Sequence, residues 1–132
     1  MRIRTAAAGL LAAVVATVAV PSTAYAGPTD NENGTVAGVT PVNATGDPRR
    51  DCPVGNHCVW TRPSWQGKVF RLYFCRTYAL SQWNGNGSDF NNQTGGAVAL
   101  YLDQARRVLS RQSPGSSHTS VDFRPVWYIK NC

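Results

Sequence analysis

The sixteen residues from Cys52 to Gly67, CPVGNHCVWTRPSWQG, limit what this 132-residue chain can fold into more than any other stretch. Two cysteines stand six positions apart around Pro53 and Gly55, residues that favour a tight loop. A short aromatic run carrying Trp60 follows, then Trp65, Gln66 and Gly67. If the chain folds back after Thr61, two indoles can stack over the fold, and Gly67 supplies a positive φ that a Cβ would resist. The expected local structure is a folded-over hairpin.

All four cysteines, Cys52, Cys58, Cys75 and Cys132, lie beyond an export-type beginning. Arg2 and Arg4 precede an apolar run from Ala6 to Val20, and Ala24-Tyr25-Ala26 has small residues at its first and third positions. That order reads as a signal peptide over residues 1–26, and the apolar run is short for a membrane span. The remaining chain is expected to be secreted and extracellular, with its even cysteine count forming two disulfides. Four cysteines permit three pairings, which spacing alone does not separate.

The stretch Cys52–Gly67 resembles the first-hairpin signature of the βγ-crystallin Greek key, with Trp where that family often has Tyr or Phe. Its CPxGxxC step resembles secreted bacterial proteins of this fold that are grouped with the peptidase inhibitors typified by a small metalloproteinase inhibitor (inhibitor family thirty-six). The resemblance covers roughly Cys52 to Cys132. It implies a small disulfide-stapled, all-β Greek-key sandwich over residues 52–132, with Trp60, Trp65 and Gly67 as fold signature. It also implies pairing of Cys52 with Cys58, leaving Cys75 with Cys132. Greek keys of this type can bind calcium through a motif that Asn91-Asn92-Gln93-Thr94-Gly95-Gly96 meets only in its two amides. Asp89, Asn91 and Asn92 therefore make a weak calcium candidate, because calcium needs several oxygen ligands, usually some of them charged. No other metal site and no cofactor is expected.

The rest of the pattern agrees with an all-β chain. Val69–Phe74 alternates as a strand, with Phe70, Leu72 and Phe74 on one face. Tyr78–Trp83 is read as a single helical turn, and the glycine- and asparagine-rich Asn84–Gly96 as a set of turns. Ala97–Leu102 is a strand with Val98, Leu100 and Leu102 facing one way. Arg107–Arg111 is an edge strand protected by its arginines, Ser113–Thr119 an exposed loop, and Val126–Lys130 the closing strand. Two or three of Trp60, Trp65, Trp83 and Trp127 are expected inside.

Residues 27–51 hold Gly, Thr, Asn, Pro and Val without an aromatic, and are expected to form a flexible extended arm. Within it Thr35, Val36, Val39, Thr40, Pro41 and Val42 favour extended backbone and are candidates to bind a partner, by adding to a sheet edge or lying in a cleft. The arm is acidic, whereas Cys52–Cys132 carries nine basic residues against Asp89, Asp103 and Asp122. Such a domain favours acidic partners, although its arginines are dispersed along the chain.

Enzymatic chemistry lacks its groups. The only histidines, His57 and His118, stand in no nucleophile-elbow or metalloprotease motif, and the domain has no glutamate to pair with its three separated aspartates. A noncatalytic module that binds another secreted protein, a protease or an assembly subunit, is the expected function, with no nucleic acid, no membrane span and a monomeric state. Peptidase inhibition follows from the resemblance, with Ser113–Phe123 and the arm as candidate contacts. Alternatives are an adaptor subunit of a secreted toxin assembly docking through its arm, and a basic antibacterial protein that binds the cell envelope.

Overall fold

A computed structural model describes residues 31–132; the expected signal peptide lies outside them. The chain forms two five-stranded antiparallel sheets. In chain order the strands are β1 (Thr35–Val36), β2 (Val42–Asn43), β3 (His57–Arg62), β4 (Gln66–Leu72), β5 (Thr77–Ser81), β6 (Asn86–Asn91), β7 (Ala99–Leu102), β8 (Val108–Gln112), β9 (Ser117–Asp122) and β10 (Tyr128–Lys130). One short helix, α1 (Pro48–Asp51), precedes β3. The first sheet runs β1-β5-β10-β7-β8 and the second β2-β4-β3-β6-β9. The chain crosses repeatedly from one sheet to the other, as a Greek-key sandwich does, so β10 sits in the middle of its sheet and not at its edge.

Between the sheets lies the main core, built on Val59, Phe70 and Leu72 from the second sheet and Tyr78, Leu80, Tyr101 and Ile129 from the first. Trp83 and Phe123 close one end with ring centroids 4.8 Å apart. A second cluster, Cys52, Cys58, Trp60, Val69 and Phe90, occupies the outer face of the second sheet, with Ala44 and Trp65 packed on it. Strand β3 is consequently buried on both faces.

The folded-over hairpin is present. Gly67 has φ +82°, and a Cβ there would collide with the Thr61 hydroxyl. Ser64 and Trp65 also adopt left-handed backbone, with φ 56° and 57°, a conformation that costs about 1–2 kcal/mol for a residue with a Cβ. Three hydrogen bonds hold it: Trp65 N–H donates to Ser88 Oγ (2.9 Å), Trp65 Nε1 to the Asp89 carbonyl (3.1 Å) and Ser88 Oγ to the Arg62 carbonyl (2.7 Å). The two indoles share one cluster, Trp60 wholly buried and Trp65 on its rim.

Several local expectations are corrected. Strand β4 ends at Leu72, and Phe74 faces solvent. Residues 78–81, within the stretch read as a helical turn, lie in strand β5, because Tyr78 and Leu80 alternate into the core with period two. Asn86–Asn91, expected in turns, is a buried strand between β3 and β9. Gly87 is needed there, since a Cβ would strike the Trp60 carbonyl and the Phe123 ring. In β7 it is Ala99 and Tyr101 that face the core, with Leu100 turned outward. Part of the expected loop Ser113–Thr119 extends as edge strand β9, while β8 is an edge as expected.

The largest difference concerns the arm. Residues 31–51 are part of the sandwich. Strand β1 pairs with β5 and β2 with β4, so the segment adds to both sheets of its own chain. Asn31 exchanges hydrogen bonds with Gly85 across 54 residues, and Glu32 pairs with Arg62. Asp47 caps α1 by accepting from the Arg49 and Arg50 amides, with Pro48 in the first turn. The buried Asp51 carboxylate then accepts from Thr45 N–H (2.9 Å), Thr45 Oγ1 (2.7 Å) and Trp60 Nε1 (3.3 Å). Low apolar content suggested mobility; these long-range polar contacts order the segment instead.

Candidate interaction site

The disulfides pair Cys52 with Cys58 and Cys75 with Cys132, the pairing that the resemblance implied. Both staples hold the same end of the sandwich. In the first loop Asn56 N–H donates to the Pro53 carbonyl, Gly55 N–H to the Asn92 carbonyl (2.8 Å) and Asn92 Nδ2 to the Cys52 carbonyl (2.9 Å). In the second, Asn131 Nδ2 donates to the carbonyls of Leu72 (2.8 Å) and Phe74 (3.2 Å), while Phe74 N–H donates to the Tyr78 hydroxyl (3.0 Å). Each loop is thereby tied by a disulfide and by hydrogen bonds to its backbone.

These fixed loops present apolar side chains to water. Val54 is 70% exposed, Tyr73 63% and Phe74 65%. They form one surface: the Tyr73 ring lies against Gly55, within 3.3 Å of where a Cβ would stand, and meets Phe74 edge-on at 5.3 Å between centroids. Adjoining exposed apolar side chains of this kind make this end a candidate contact surface. Sequence reasoning missed it because alternation put Phe74 in the core. The signal available was Tyr73-Phe74 directly before a cysteine, where a disulfide ends the strand.

The six arm candidates are placed differently. Val36 is buried in the core, Val39 packs on it, Thr35 pairs in β1, and Val42 pairs with Val69 in β2, leaving Thr40 exposed and Pro41 half-buried. Their extended backbone serves the chain's own sheet edges. Of Ser113–Phe123, β9 is an exposed edge strand and Phe123 a core residue.

His57 and His118 belong to one hydrogen-bonded chain that crosses the sandwich. The Tyr101 hydroxyl donates to Asp89 Oδ2 (2.7 Å), so it accepts from His57 Nε2 (2.8 Å). Asp89 Oδ1 accepts from His118 Nδ1 (2.8 Å), whose ring is half-exposed on β9. Burial raises the Asp89 pKa, opposed by the hydrogen bonds from Tyr101 and His118. Burial, with the nearby His118, lowers His57 to about 3. An imidazole sealed in this way cannot meet a substrate, and the chain joins β3, β6 and β9 of one sheet to β7 of the other. The calcium candidates serve the same interior: Asp89 as above, Asn91 by donating to the Gln112 carbonyl (2.8 Å), and Asn92 to Cys52. What they form is a set of internal hydrogen bonds, not an open oxygen cage.

Because His57 is neutral when folded and protonates near 6.5 when unfolded, the unfolded state binds the extra proton between pH 6.5 and 3. Stability therefore falls as pH drops through that window, by about 1 kcal/mol from pH 6.5 to 5.5, until the raised Asp89 pKa begins to act in the opposite sense. Urea unfolding at the two pH values is expected to show the loss. A His57→Gln variant, less stable throughout, is expected to have a flatter profile; an unchanged slope would exclude His57 as its source.

No curated protein and no solved structure matches the chain. Residues 45–105, which contain the Cys52–Cys58 loop, the Trp60–Gly67 fold and the exposed Tyr73-Phe74 pair, match the model of peptidase inhibitor family I36.

Proposed function

We propose that this protein is a secreted, noncatalytic, peptidase-inhibitor-like module that acts as a monomer and grips its target through the doubly stapled end. The observation that carries the reading is the projection of Val54, Tyr73 and Phe74 from two loops closed by disulfides. Binding orders little that is not already ordered, so more of the apolar burial appears as affinity. Tyr73 and Phe74 fit an apolar pocket such as a protease uses to hold a substrate side chain, and the match to family I36 supports a protease as the target class. Rigid aromatic anchors of this kind commonly dominate an interface.

The test is titration of a panel of secreted metallo- and serine proteases with micromolar mature protein. Stoichiometric inhibition is expected for at least one, weakened about 30-fold or more by Tyr73→Ala with Phe74→Ala, since an anchor is worth about 2 kcal/mol or more. No inhibition across the panel would overturn the inhibitor reading. Capture of a non-protease secreted subunit, lost in the same variant, would favour the adaptor. Deleting residues 27–51 does not separate these roles, because it removes β1, β2 and the Asp51 carboxylate from the fold.

A further inference from the structure

The strand order of the first sheet gathers basic residues that are scattered in sequence. On its outer face, Thr77 of β5 stands beside Lys130 of β10, Lys130 beside Leu100 of β7, and Leu100 beside Arg111 of β8, forming one row across four strands. The adjoining row is Ala79, Tyr128, Leu102 and Val108. Arg106 reaches over it from the β7–β8 turn, its guanidinium carbon 4.5 Å from the centre of the Tyr128 ring. Neighbouring strands lie about 4.8 Å apart, which sets the backbones of Lys130 and Arg111 about 10 Å apart on either side of Leu100.

No carboxylate among the described residues stands in either row. Glu32 pairs with Arg62, Asp103 with Arg107 and Asp122 with Arg124. Asp51 and Asp89 are buried in their own hydrogen bonds, and Asp47 caps α1. Arg106, Arg111 and Lys130 are thus exposed, without a carboxylate partner among the described residues, on a partly aliphatic face.

We propose that this outer face, which borders the cystine-held end at Thr77 and Lys130 but does not include Tyr73 or Phe74, binds an extracellular phosphodiester polymer of the poly(glycerol phosphate) kind. Guanidinium groups take phosphate oxygens through paired N–H donors, and the lysine adds a point charge. Leu100 and Val108 supply apolar ground for an aliphatic repeat. A nucleic acid fits less well, because the Tyr128 ring that a base would stack on is covered by Arg106. Two disulfides fit an oxidising compartment and the export expected from the sequence, which would bring extracellular polyanions to this face.

The experiment measures binding of the full mature protein to fluorescent poly(glycerol phosphate), and to a single-stranded oligonucleotide of equal phosphate number, at salt concentrations from about 50 to 200 mM. The test variant is Arg106→Asn with Arg111→Gln and Lys130→Gln, asparagine being chosen because Arg106 has φ 62° and Asn tolerates that conformation. The control removes as much charge elsewhere: Arg49→Gln, Arg50→Gln and Lys68→Gln. The native protein is expected to prefer the polymer. The test variant should lose at least about tenfold in affinity at low salt, with a shallower salt dependence, and the control less than about threefold. Tighter binding of the oligonucleotide, equal losses in both variants, or no measurable binding would each overturn the proposal. Because Tyr73 and Phe74 lie outside this face, their alanine variant should keep polymer binding, so failure of the inhibitor reading and failure of this one are told apart.

Discussion

Changing Cys75 and Cys132 together to serine is expected to lower stability by about 4 kcal/mol, the loop-closure entropy of a crosslink between residues this far apart. Their separation is 57 residues, against 6 for Cys52 and Cys58, whose loss is expected to cost about 2 kcal/mol. The longer bridge also secures β10, which pairs with β5 on one side and β7 on the other, so its release frees the centre of the first sheet. For a small domain this is a large share of the total stability. Urea unfolding under non-reducing conditions measures both losses. A loss below about 1 kcal/mol for the Cys75 and Cys132 variant would mean that the unfolded chain is already compact around β10, against the chain-entropy argument.

Trp60→Ala is expected to destabilise the protein by about 4 kcal/mol, while Trp127→Ala changes stability by less than about 1 kcal/mol. Trp60 is 0% exposed beneath α1 and donates Nε1 to Asp51, so truncation opens a cavity and removes a donor from a buried carboxylate. Trp127 is 44% exposed and its environment already includes water. The same unfolding measurement, with near-ultraviolet circular dichroism to follow the indoles, separates the two. Equal losses would show that the cover of residues 44–52 over β3 does not seal Trp60.

The hairpin at Cys52–Gly67 was legible because its determinants are local. A short cysteine loop, an aromatic spacing and a glycine with positive φ act within about sixteen residues, and the structure contains each of them. The all-β class was legible for a similar reason, since period-two alternation in Val69–Leu72 reports a half-buried strand wherever it pairs. Strand β6 was not legible. Its sequence NGSDFN carries turn residues, yet β3 and β9 flank it, Tyr101 and His118 satisfy Asp89, and Gly87 allows the close approach to Trp60.

By itself, then, the sequence determined the class of fold, the export-compatible cysteine framework and the corner built on Trp60, Trp65 and Gly67. Only the tertiary structure decided that residues 31–51 are sheet and cover, that Tyr73 and Phe74 project from a stapled end, and that Arg106, Arg111 and Lys130 share a face. The physical reason is separation along the chain. Asn31 with Gly85, Asp51 with Trp60, Asn131 with Leu72 and Lys130 with Leu100 are partners that no local pattern encodes, because hydrogen bonds and register between distant segments exist only once the sheets have assembled.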